Sequence, residues 1–230
     1  ELALIRHAID SCEAGMAQMR AALRPGVTEN ALWAVLHQAN IELGGEWIET
    51  RLLASGPRTN PWFQECSDRV IDAGDMVSFD TDLIGPYGYC ADISRSWRAG
   101  EGKPDDTQRA LYEIAMAQIR YNADLLKPGM SFREFSENSF RLPDDCIANR
   151  YSVVAHGVGL CDEYPSIVYT QDWDSGGYDG FIEPGMTLCI ESLVGRENGR
   201  ECVKLEEQVL VTETGVEFLS SYPFESHWLS

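Results

Sequence analysis

Acidic side chains and one histidine fall inside short apolar segments of this sequence, where strands are expected. Asp80 and Asp82 are two residues apart, and side chains at that spacing on a strand point to the same face. Several carboxylates on one partly buried face repel one another and are costly to desolvate, so they need cations nearby. Two divalent ions ~3.5–4 Å apart would meet that need. The predicted metal ligands are Asp80, Asp82, Asp92, His156, Glu191 and Glu206.

The donor types narrow the choice of metal. Oxygen-rich ligation with one imidazole suits manganese, iron, cobalt or zinc better than copper. The predicted set contains no thiolate, which argues against a structural zinc site. Its imidazole belongs to His156, in an apolar segment that ends with Gly157 and Gly159. Glycines at a strand end let backbone and ligand approach closely, so this segment is expected to border the site.

The sequence contains a diverged internal repeat, which constrains the architecture before individual elements are assigned. Residues Met16 to Arg20 recur as Met116 to Arg120. Each copy is followed by a Pro-Gly break, Pro25-Gly26 in the first half and Pro128-Gly129 in the second. The matched order predicts that each half begins with a helix ending at such a break.

A second helix is predicted after each break, with Thr28 and Ser131 as N-caps, because their hydroxyls can accept hydrogen bonds from exposed backbone N–H groups. Further along, Ala73 to Asp80 parallels Pro184 to Glu191, and the distance from glycine to acid is the same in both segments. Each half therefore reads as two helices followed by strands.

The predicted fold class is α+β. Two halves, roughly residues 1–100 and 105–215, would place their strands in a common curved sheet, with helices on its convex face and carboxylates on its concave face. A turn at Gly85 to Gly88 is expected to join a strand from Met76 to Leu83 to a return strand from Tyr89 to Trp97, which carries Asp92. The whole chain, 1–230, is predicted to be a single catalytic domain.

Composition limits the partners and the location. The chain has 18 lysine and arginine residues and 37 aspartate and glutamate residues, which gives a net charge of -19. This charge disfavours nucleic acid and anionic membranes as partners. No apolar run reaches the ~20 residues that span a bilayer. The seven cysteines lack a C-x-x-C pair, so all of them, including Cys161, are predicted to be reduced and mostly buried, as in a cytoplasmic protein. Because the chain starts at Glu1 rather than methionine, a missing upstream segment is expected.

These motifs resemble the metal signature of the creatinase, aminopeptidase P and prolidase superfamily. The resemblance implies the pita-bread fold, a homodimer, an additional N-terminal domain that this chain lacks, and metal-ligand roles for the six residues above. The motifs that carry it are Asp80-Thr81-Asp82, Asp92, His156-Gly157-Val158-Gly159, Glu191-Ser192 and Glu206-Glu207.

Two positions depart from the peptidase pattern of that superfamily. Trp62 stands where a histidine is expected, and the segment from Leu160 to Pro165 lacks the expected His-Glu pair. Those imidazoles bind substrate and move protons in the peptidases, so their loss speaks against peptide hydrolysis. With these changes the chain is similar to the pita-bread dimethylsulfoniopropionate lyases of marine bacteria. That resemblance implies a β-elimination of a small zwitterionic sulfonium substrate, which yields dimethyl sulfide and acrylate.

The resemblance to the lyases also implies residue roles. Asp162 is expected to be the general base, with two divalent metals, iron first and zinc, manganese, cobalt or nickel as other candidates. Trp62 is predicted to offer an aromatic face to the sulfonium cation, and Tyr151 to hydrogen-bond the substrate. The alternatives are that Asp162 caps a turn, that Trp62 belongs to the core and that Tyr151 packs at a strand end.

Two other functions remain open from the sequence. A prolidase-like peptidase or a creatinase-like hydrolase would use the same metals to activate water. A noncatalytic pita-bread module would bind other proteins and would have no need of the metals, although the chain retains all six predicted ligands. Metal analysis separates the module from an enzyme, and release of dimethyl sulfide separates a lyase from a peptidase.

Overall fold

Helices and antiparallel strands alternate along the chain in the computed structural model, which describes residues 1–229. The helices are α1 (Leu2–Ala22), α2 (Glu29–Glu42), α3 (Asp106–Leu125), α4 (Phe132–Asn138) and the short α5 (Trp173–Gly176). The strands are β1 (Trp47–Ile48), β2 (Leu53–Ser55), β3 (Met76–Phe79), β4 (Leu83–Ile84), β5 (Cys90–Ala91), β6 (Arg95–Arg98), β7 (Val153–Val158), β8 (Asp162–Val168), β9 (Thr187–Gly195), β10 (Cys202–Val211) and β11 (Val216–Phe218). The predicted α+β class is confirmed.

The two halves start their second helices in the same way. The Thr28 hydroxyl oxygen accepts a hydrogen bond from Ala31 N at 3.1 Å, and that of Ser131 accepts one from Glu134 N at 3.1 Å. Both predicted N-caps are therefore confirmed. Such side chains satisfy backbone N–H groups that the first helical turn leaves without a partner.

The same two cap residues also form isolated β-bridges, Thr28 with Val70 and Ser131 with Phe181. Shortly after each bridge, Gly74 and Gly185 take φ values of +92° and +91° and turn the chain into β3 and β9. A side chain would be strained at such φ values, which explains why glycine stands at both positions. These matched features support the predicted duplication.

The curved strand surface is assembled from three hydrogen-bonded sheets, ordered β1-β4-β5, β2-β3-β6 and β11-β10-β9-β7-β8. Strands β3 and β6 of the first half meet β10 of the second half along a serine seam, defined by the hydroxyls of Ser78 on β3 and Ser96 on β6. Ser96 Oγ donates to Lys204 O at 3.0 Å and accepts from Lys204 N at 2.9 Å. Ser78 Oγ donates to Cys202 O at 3.1 Å. Side chains thus join one half of the molecule to the other.

Each half packs its own apolar cluster between helices and strands. In the first half, Met16 of α1 shares a buried cluster with Phe79 and Trp97 of the strands. In the second half, Ile119 of α3 shares one with Ile190 of β9 and other strand residues. Because side chains alternate along a strand, the helices cover one face and leave Glu191, next to Ile190, on the other.

The first acidic segment is less regular than predicted. Strand β3 ends at Phe79, and Asp82 lies outside the strands with a positive φ of +34°. The predicted return strand is split into β5 and β6, with Asp92 between them. Here Asp82 N donates to Asp92 Oδ1 at 3.1 Å, so a side-chain contact replaces the backbone ladder. Strand alternation is therefore the wrong reason for the proximity of Asp80 and Asp82.

The cysteines follow the prediction with one exception. All seven are free thiols, and six of them are buried. Cys161 is exposed, because it lies in the bend between β7 and β8, so the prediction that it is a buried hydrophobe is wrong. Among residues 1–229, no helix combines the length and apolar character needed to cross a bilayer.

Candidate metal centre

Strand register places the second-half ligands opposite one another. Glu191 of β9 is the direct cross-strand partner of Glu206 of β10. His156 of β7 pairs with Cys189 of β9, two residues before Glu191 and on the same face. Alternation and register together therefore bring one imidazole and two carboxylates to one surface, as predicted for these strands.

His156 lies at the middle of the acidic cluster. Its Nε2 is 3.2 Å from Glu206 Oε1, 3.3 Å from Glu191 Oε1 and 3.7 Å from Asp92 Oδ2. Its Nδ1 is 3.2 Å from the carbonyl oxygen of Gly157. A neutral imidazole that donates from Nδ1 to this carbonyl presents Nε2 as a ligand to the acidic side.

Asp80 joins the same cluster from the first half. The Ser94 hydroxyl contacts Asp80 Oδ1 and lies 2.8 Å from Glu206 Oε2. The Asp82 carboxylate contacts the hydroxyl of Thr50. Three overlapping groups of donor atoms, each spanning no more than 4.8 Å, result: Asp80 with Glu191 and Glu206; Asp92 with His156, Cys189 and Glu206; Asp82 with Asp92 and Glu163. The structure thus brings all six predicted ligands together.

A buried lysine, not predicted from the sequence, lies inside the cluster. Lys204 Nζ is 2.9 Å from Asp80 Oδ2, 2.7 Å from Glu191 Oε2 and 3.2 Å from Glu206 Oε2. Its spacing was the available signal, because Lys204 precedes Glu206 by two residues on β10 and so shares its face. The lysine partly compensates the carboxylate charge.

Burial and mutual repulsion disturb the ionisation of these acids. Burial raises the pKa of Asp80 to about 6, although Lys204 opposes the shift. Burial, together with a neighbouring carboxylate, raises the pKa of Asp82 to about 8 and that of Glu191 to about 8. Burial also acts to raise the pKa of Glu206, but Lys204 and other neighbours outweigh it and hold that pKa well below its usual value.

The donor set fits divalent cations. Glu191 Oε1 and Asp162 Oδ2 are buried and have no hydrogen-bond partner among residues 1–229. His156 Nε2 is 3.3 Å from Glu191 Oε1, but the two atoms are not aligned for a hydrogen bond. Unpaired buried oxygens are costly in a folded protein unless a cation satisfies them. Carboxylates and one imidazole are ligands that iron, manganese, cobalt and zinc accept.

One thiol lies closer to the donors than expected. Cys189 Sγ is within 4.8 Å of the ligand atoms of Asp92, His156 and Glu206, although no cysteine belongs to the predicted ligand set. Burial raises the pKa of the Cys189 thiol well above its usual value, and the thiol donates to Asp92 O at 3.6 Å. It is therefore a neutral neighbour in this arrangement, and the charged donors are oxygens.

Asp162 begins β8 at the edge of the cluster. Its side chain is 3% exposed, with Oδ1 3.5 Å from His156 Nδ1. Glu163 N donates to Oδ1 at 3.1 Å, so Asp162 does hold a turn with one oxygen, while Oδ2 remains without a partner. Burial raises the pKa of Asp162 to about 7. Within residues 1–229, the second oxygen is thus a buried acceptor whose hydrogen-bonding capacity is unused.

The two predicted substrate-binding aromatics lie in one small apolar cluster. The Tyr151 hydroxyl is 3.5 Å from Asp80 Oδ2, and Lys204 Nζ is 4.4 Å from the centre of its ring. Trp62 is 7% exposed and packs in that cluster with Tyr151 and Leu193. Tyr151 therefore borders the acidic donors, whereas most of the Trp62 indole is covered.

A cavity of about 390 Å³ lies elsewhere and contains none of these donors. Among the residues that line it, Arg150 is held by Asp172 in a bidentate ion pair. The cavity offers no cluster of carboxylates or imidazoles comparable to the acidic cluster. We therefore place the candidate site at the acidic cluster.

Comparison with known proteins agrees with the site geometry. The sequence model of metallopeptidase family M24 matches residues 3–213. Dimethylsulfoniopropionate lyase DddP of Roseovarius nubinhibens is 50% identical over 230 residues, which cover 98% of this chain and 52% of the relative. The enzyme of the same name from Roseobacter denitrificans is 48% identical over the same shares of each chain. The chain spans about half the length of these relatives.

Solved structures show the same fold. Prolidase from Pyrococcus furiosus superposes with a TM-score of 0.82 and 26% identity, covering 96% of this chain and 64% of that one. The Xaa-Pro dipeptidase from Bacillus anthracis gives a TM-score of 0.84 at 24% identity, covering 98% of this chain and 61% of the other. The predicted pita-bread architecture, two similar halves with a curved strand surface covered by helices, is confirmed by these likenesses.

Proposed function

This chain belongs to metallopeptidase family M24, and from that premise we propose that it is the catalytic domain of a metal-dependent lyase that cleaves dimethylsulfoniopropionate into dimethyl sulfide and acrylate. The observation that carries the proposal is the 50% identity to a dimethylsulfoniopropionate lyase across 98% of the chain. The buried cluster of carboxylates around His156 supports it, because an elimination next to a carboxylate needs electrophilic assistance.

Two divalent metal ions, iron first, would be held by Asp80, Asp82, Asp92, His156, Glu191 and Glu206. When bound, they supply Lewis acidity that stabilises negative charge developing on a substrate carboxylate. The chain's own contribution is to hold the donors together: Ser94 links Asp80 to Glu206 across the two halves. In the proposal Lys204 keeps part of the carboxylate charge compensated while the substrate enters and leaves.

Asp162 is proposed as the general base. Its Oδ2 takes the proton from the carbon next to the substrate carboxylate, the electrons of that C–H bond form the C=C bond of acrylate, and the C–S bond breaks with its electron pair leaving on neutral dimethyl sulfide. The support is structural, since Oδ2 is buried, has no partner within residues 1–229 and belongs to a side chain touching His156. The contact between Asp162 Oδ1 and Glu163 N fixes the orientation of the carboxylate.

Peptide hydrolysis is the second candidate, because the family is a metallopeptidase family. The positions of the histidines speak against it. Of the chain's four histidines, His156 lies in the acidic cluster, whereas His7 neighbours Tyr87, His37 neighbours Trp33 and His227 lies near Glu225. Where a peptidase would add imidazoles to move protons, this site has carboxylates and aromatic rings. The clustered donors likewise argue against a noncatalytic binding module.

The remaining parts of the proposal concern the protein's surroundings. We propose a small zwitterionic substrate, a homodimer and a cytoplasmic location. The free thiols of all seven cysteines support a reducing compartment. The net charge of -19 disfavours nucleic acid as a partner and favours a small ligand whose charge is recognised locally.

The test is a direct assay of the purified chain. Metal-stripped protein is reloaded anaerobically with ferrous iron, incubated with dimethylsulfoniopropionate and monitored for dimethyl sulfide by headspace chromatography and for acrylate in solution. We expect both products in equal amounts, with little activity before reloading. Parallel incubation with alanyl-proline measures the competing activity. A metal-loaded chain that hydrolyses the dipeptide and releases no dimethyl sulfide would overturn the proposal.

A further inference from the structure

Phe63 is an exposed aromatic residue held in an unusual backbone conformation. Its φ is +66° and the residue is 57% exposed, next to the buried Trp62. Left-handed backbone is unfavourable for a bulky residue and persists only where the surrounding structure holds it. A large apolar ring kept in water by a strained backbone calls for a reason other than core packing.

The segment that carries Phe63 is fixed to the second half of the molecule. The Asn60 side-chain amide donates to Arg196 O at 2.8 Å and to Gly199 O at 2.9 Å. The Trp62 side chain packs in the apolar cluster that also contains Leu193. Phe63 is therefore presented from a support that is anchored on both sides of Pro61, not from an unattached loop end.

The ring of Phe63 lies one aromatic ring away from the acidic donors. It stacks on Tyr151 with centroids 5.4 Å apart and an angle of 24° between the planes. The hydroxyl of Tyr151 in turn lies 3.5 Å from Asp80 Oδ2. The two stacked rings thus form a short aromatic wall, defined by Phe63 and Tyr151, that runs from the donors toward solvent.

This wall suits one end of the proposed substrate. A sulfonium group carries a positive charge but no N–H or O–H, so aromatic faces recognise it where hydrogen-bond acceptors cannot pair with it specifically. Divalent cations held by the predicted ligands would attract the substrate carboxylate, so the positively charged sulfonium group would lie on the side away from them. Lys204 Nζ already lies over the Tyr151 ring, whereas the Phe63 ring is exposed.

Resting on the proposed lyase function, we infer that Phe63 is a substrate-binding residue whose ring, backed by Tyr151, receives the sulfonium group. The sequence prediction assigned this role to the neighbouring Trp62. The structure favours Phe63, because it is 57% exposed and Trp62 is 7% exposed. In this arrangement Trp62 anchors the segment, and Phe63 recognises the charge.

The experiment compares the affinity for a sulfonium ligand with the affinity for an uncharged thioether of similar shape. All measurements use the metal-loaded chain with Asp162→Asn, which prevents turnover. Calorimetry measures the binding of dimethylsulfoniopropionate to this protein and, separately, the binding of the neutral thioether 3-(methylthio)propionate. We expect Phe63→Ala and Phe63→Leu to weaken binding of the sulfonium compound about 2- to 30-fold, as loss of a cation–π contact does, and to leave the thioether nearly unchanged. Phe63→Tyr should retain sulfonium binding.

Tyr87 offers a matched control. It is also an exposed aromatic residue with φ +66°, and its ring neighbours His7 rather than the acidic donors. Tyr87→Ala should bind both ligands like the parent, and thermal unfolding checks that every variant is folded. Equal weakening of both ligands by Phe63→Ala, or no weakening of either, would overturn the inference. Binding is measured separately from turnover. If the chain that retains Asp162 releases no dimethyl sulfide, that result therefore counts against the proposed function alone.

Discussion

The ammonium nitrogen of Lys204 lies 2.7 Å from Oε2 of Glu191, inside the acidic cluster. Both side chains are buried, and they project from neighbouring antiparallel strands. The lysine therefore stabilises carboxylates that the fold has removed from water, which makes the metal-free protein dependent on it.

Replacing Lys204 with methionine should destabilise the metal-free protein strongly. Methionine fills a similar volume, but it leaves Asp80 and Glu191 without their cationic partner, and breaking a buried ion pair costs about 3–5 kcal/mol. Metal loading should recover much of the loss, since the cations then compensate the carboxylates. Thermal unfolding with and without metal measures both effects, and Lys103→Met, at an exposed position, is the control. Equal unfolding temperatures for the parent and Lys204→Met would refute this role.

The stability of the metal-free protein should fall as pH rises from about 5 to 8. In the folded chain the pKa of Glu191 is raised to about 8, that of Asp82 to about 8 and that of Asp162 to about 7, chiefly by burial. Such groups contribute stability below the pKa of the unfolded chain, and this contribution is lost as pH rises through the folded pKa. The lowered pKa of Glu206 acts in the opposite direction, but only near and below its ordinary value.

Metal binding should flatten or reverse this dependence, because cations favour the ionised carboxylates. The measurement is a series of thermal unfolding curves at several pH values, on stripped and on loaded protein. A stripped protein whose unfolding temperature increases steadily over this range would contradict the expected sign.

Asp162→Ala should abolish elimination while preserving metal content. Asp162 is not one of the six predicted ligands, although its Oδ1 lies 3.5 Å from His156 Nδ1, and its Oδ2 is the proposed proton acceptor. Loss of a general base lowers the rate by about 10²–10⁴-fold. Product release and metal stoichiometry are measured on the same sample. The matched control is Asp179→Ala, at an exposed position outside the three donor groups, and it should retain the parent activity. Normal turnover by Asp162→Ala would remove Asp162 from the mechanism.

Asp92→Ala should lower metal occupancy. Asp92 Oδ2 lies 3.7 Å from His156 Nε2, and the carboxylate belongs to two of the three overlapping donor groups. Elemental analysis after dialysis against a limiting metal concentration measures the stoichiometry, with Asp174→Ala, on an exposed part of α5, as the control. Unchanged stoichiometry and affinity would show that Asp92 is no ligand.

Regular strands made part of the site predictable from the sequence. His156, Glu191 and Glu206 lie on β7, β9 and β10, where alternation decides which side chains share a face. The same rule could have identified Lys204, two residues before Glu206. The sequence alone does not indicate that Lys204 is buried, because a lysine is rarely buried without partners, and those partners become visible only when the strands are paired.

Strand alternation does not predict the positions of side chains in the irregular segments. Asp82 and Asp92 lie outside strands, and the hydrogen bond from Asp82 N to Asp92 Oδ1 holds them together. No periodic pattern encodes a contact of that kind. Likewise, the sequence has Trp62 and Phe63 side by side, and tertiary packing alone determines that Trp62 is covered while Phe63 is exposed.

The serine seam, where β3 and β6 meet β10, has a thermodynamic consequence. Asp80, Asp82 and Asp92 come from one side of it, and His156, Glu191 and Glu206 come from the other, so neither half alone holds all six predicted ligands. A cation bound by ligands from both halves would stabilise the contact between the halves. By linkage, the free energy by which bound metal would stabilise this contact equals the free energy by which the contact would strengthen metal binding. A substitution that separates the two halves, even one far from any donor atom, should therefore lower metal affinity.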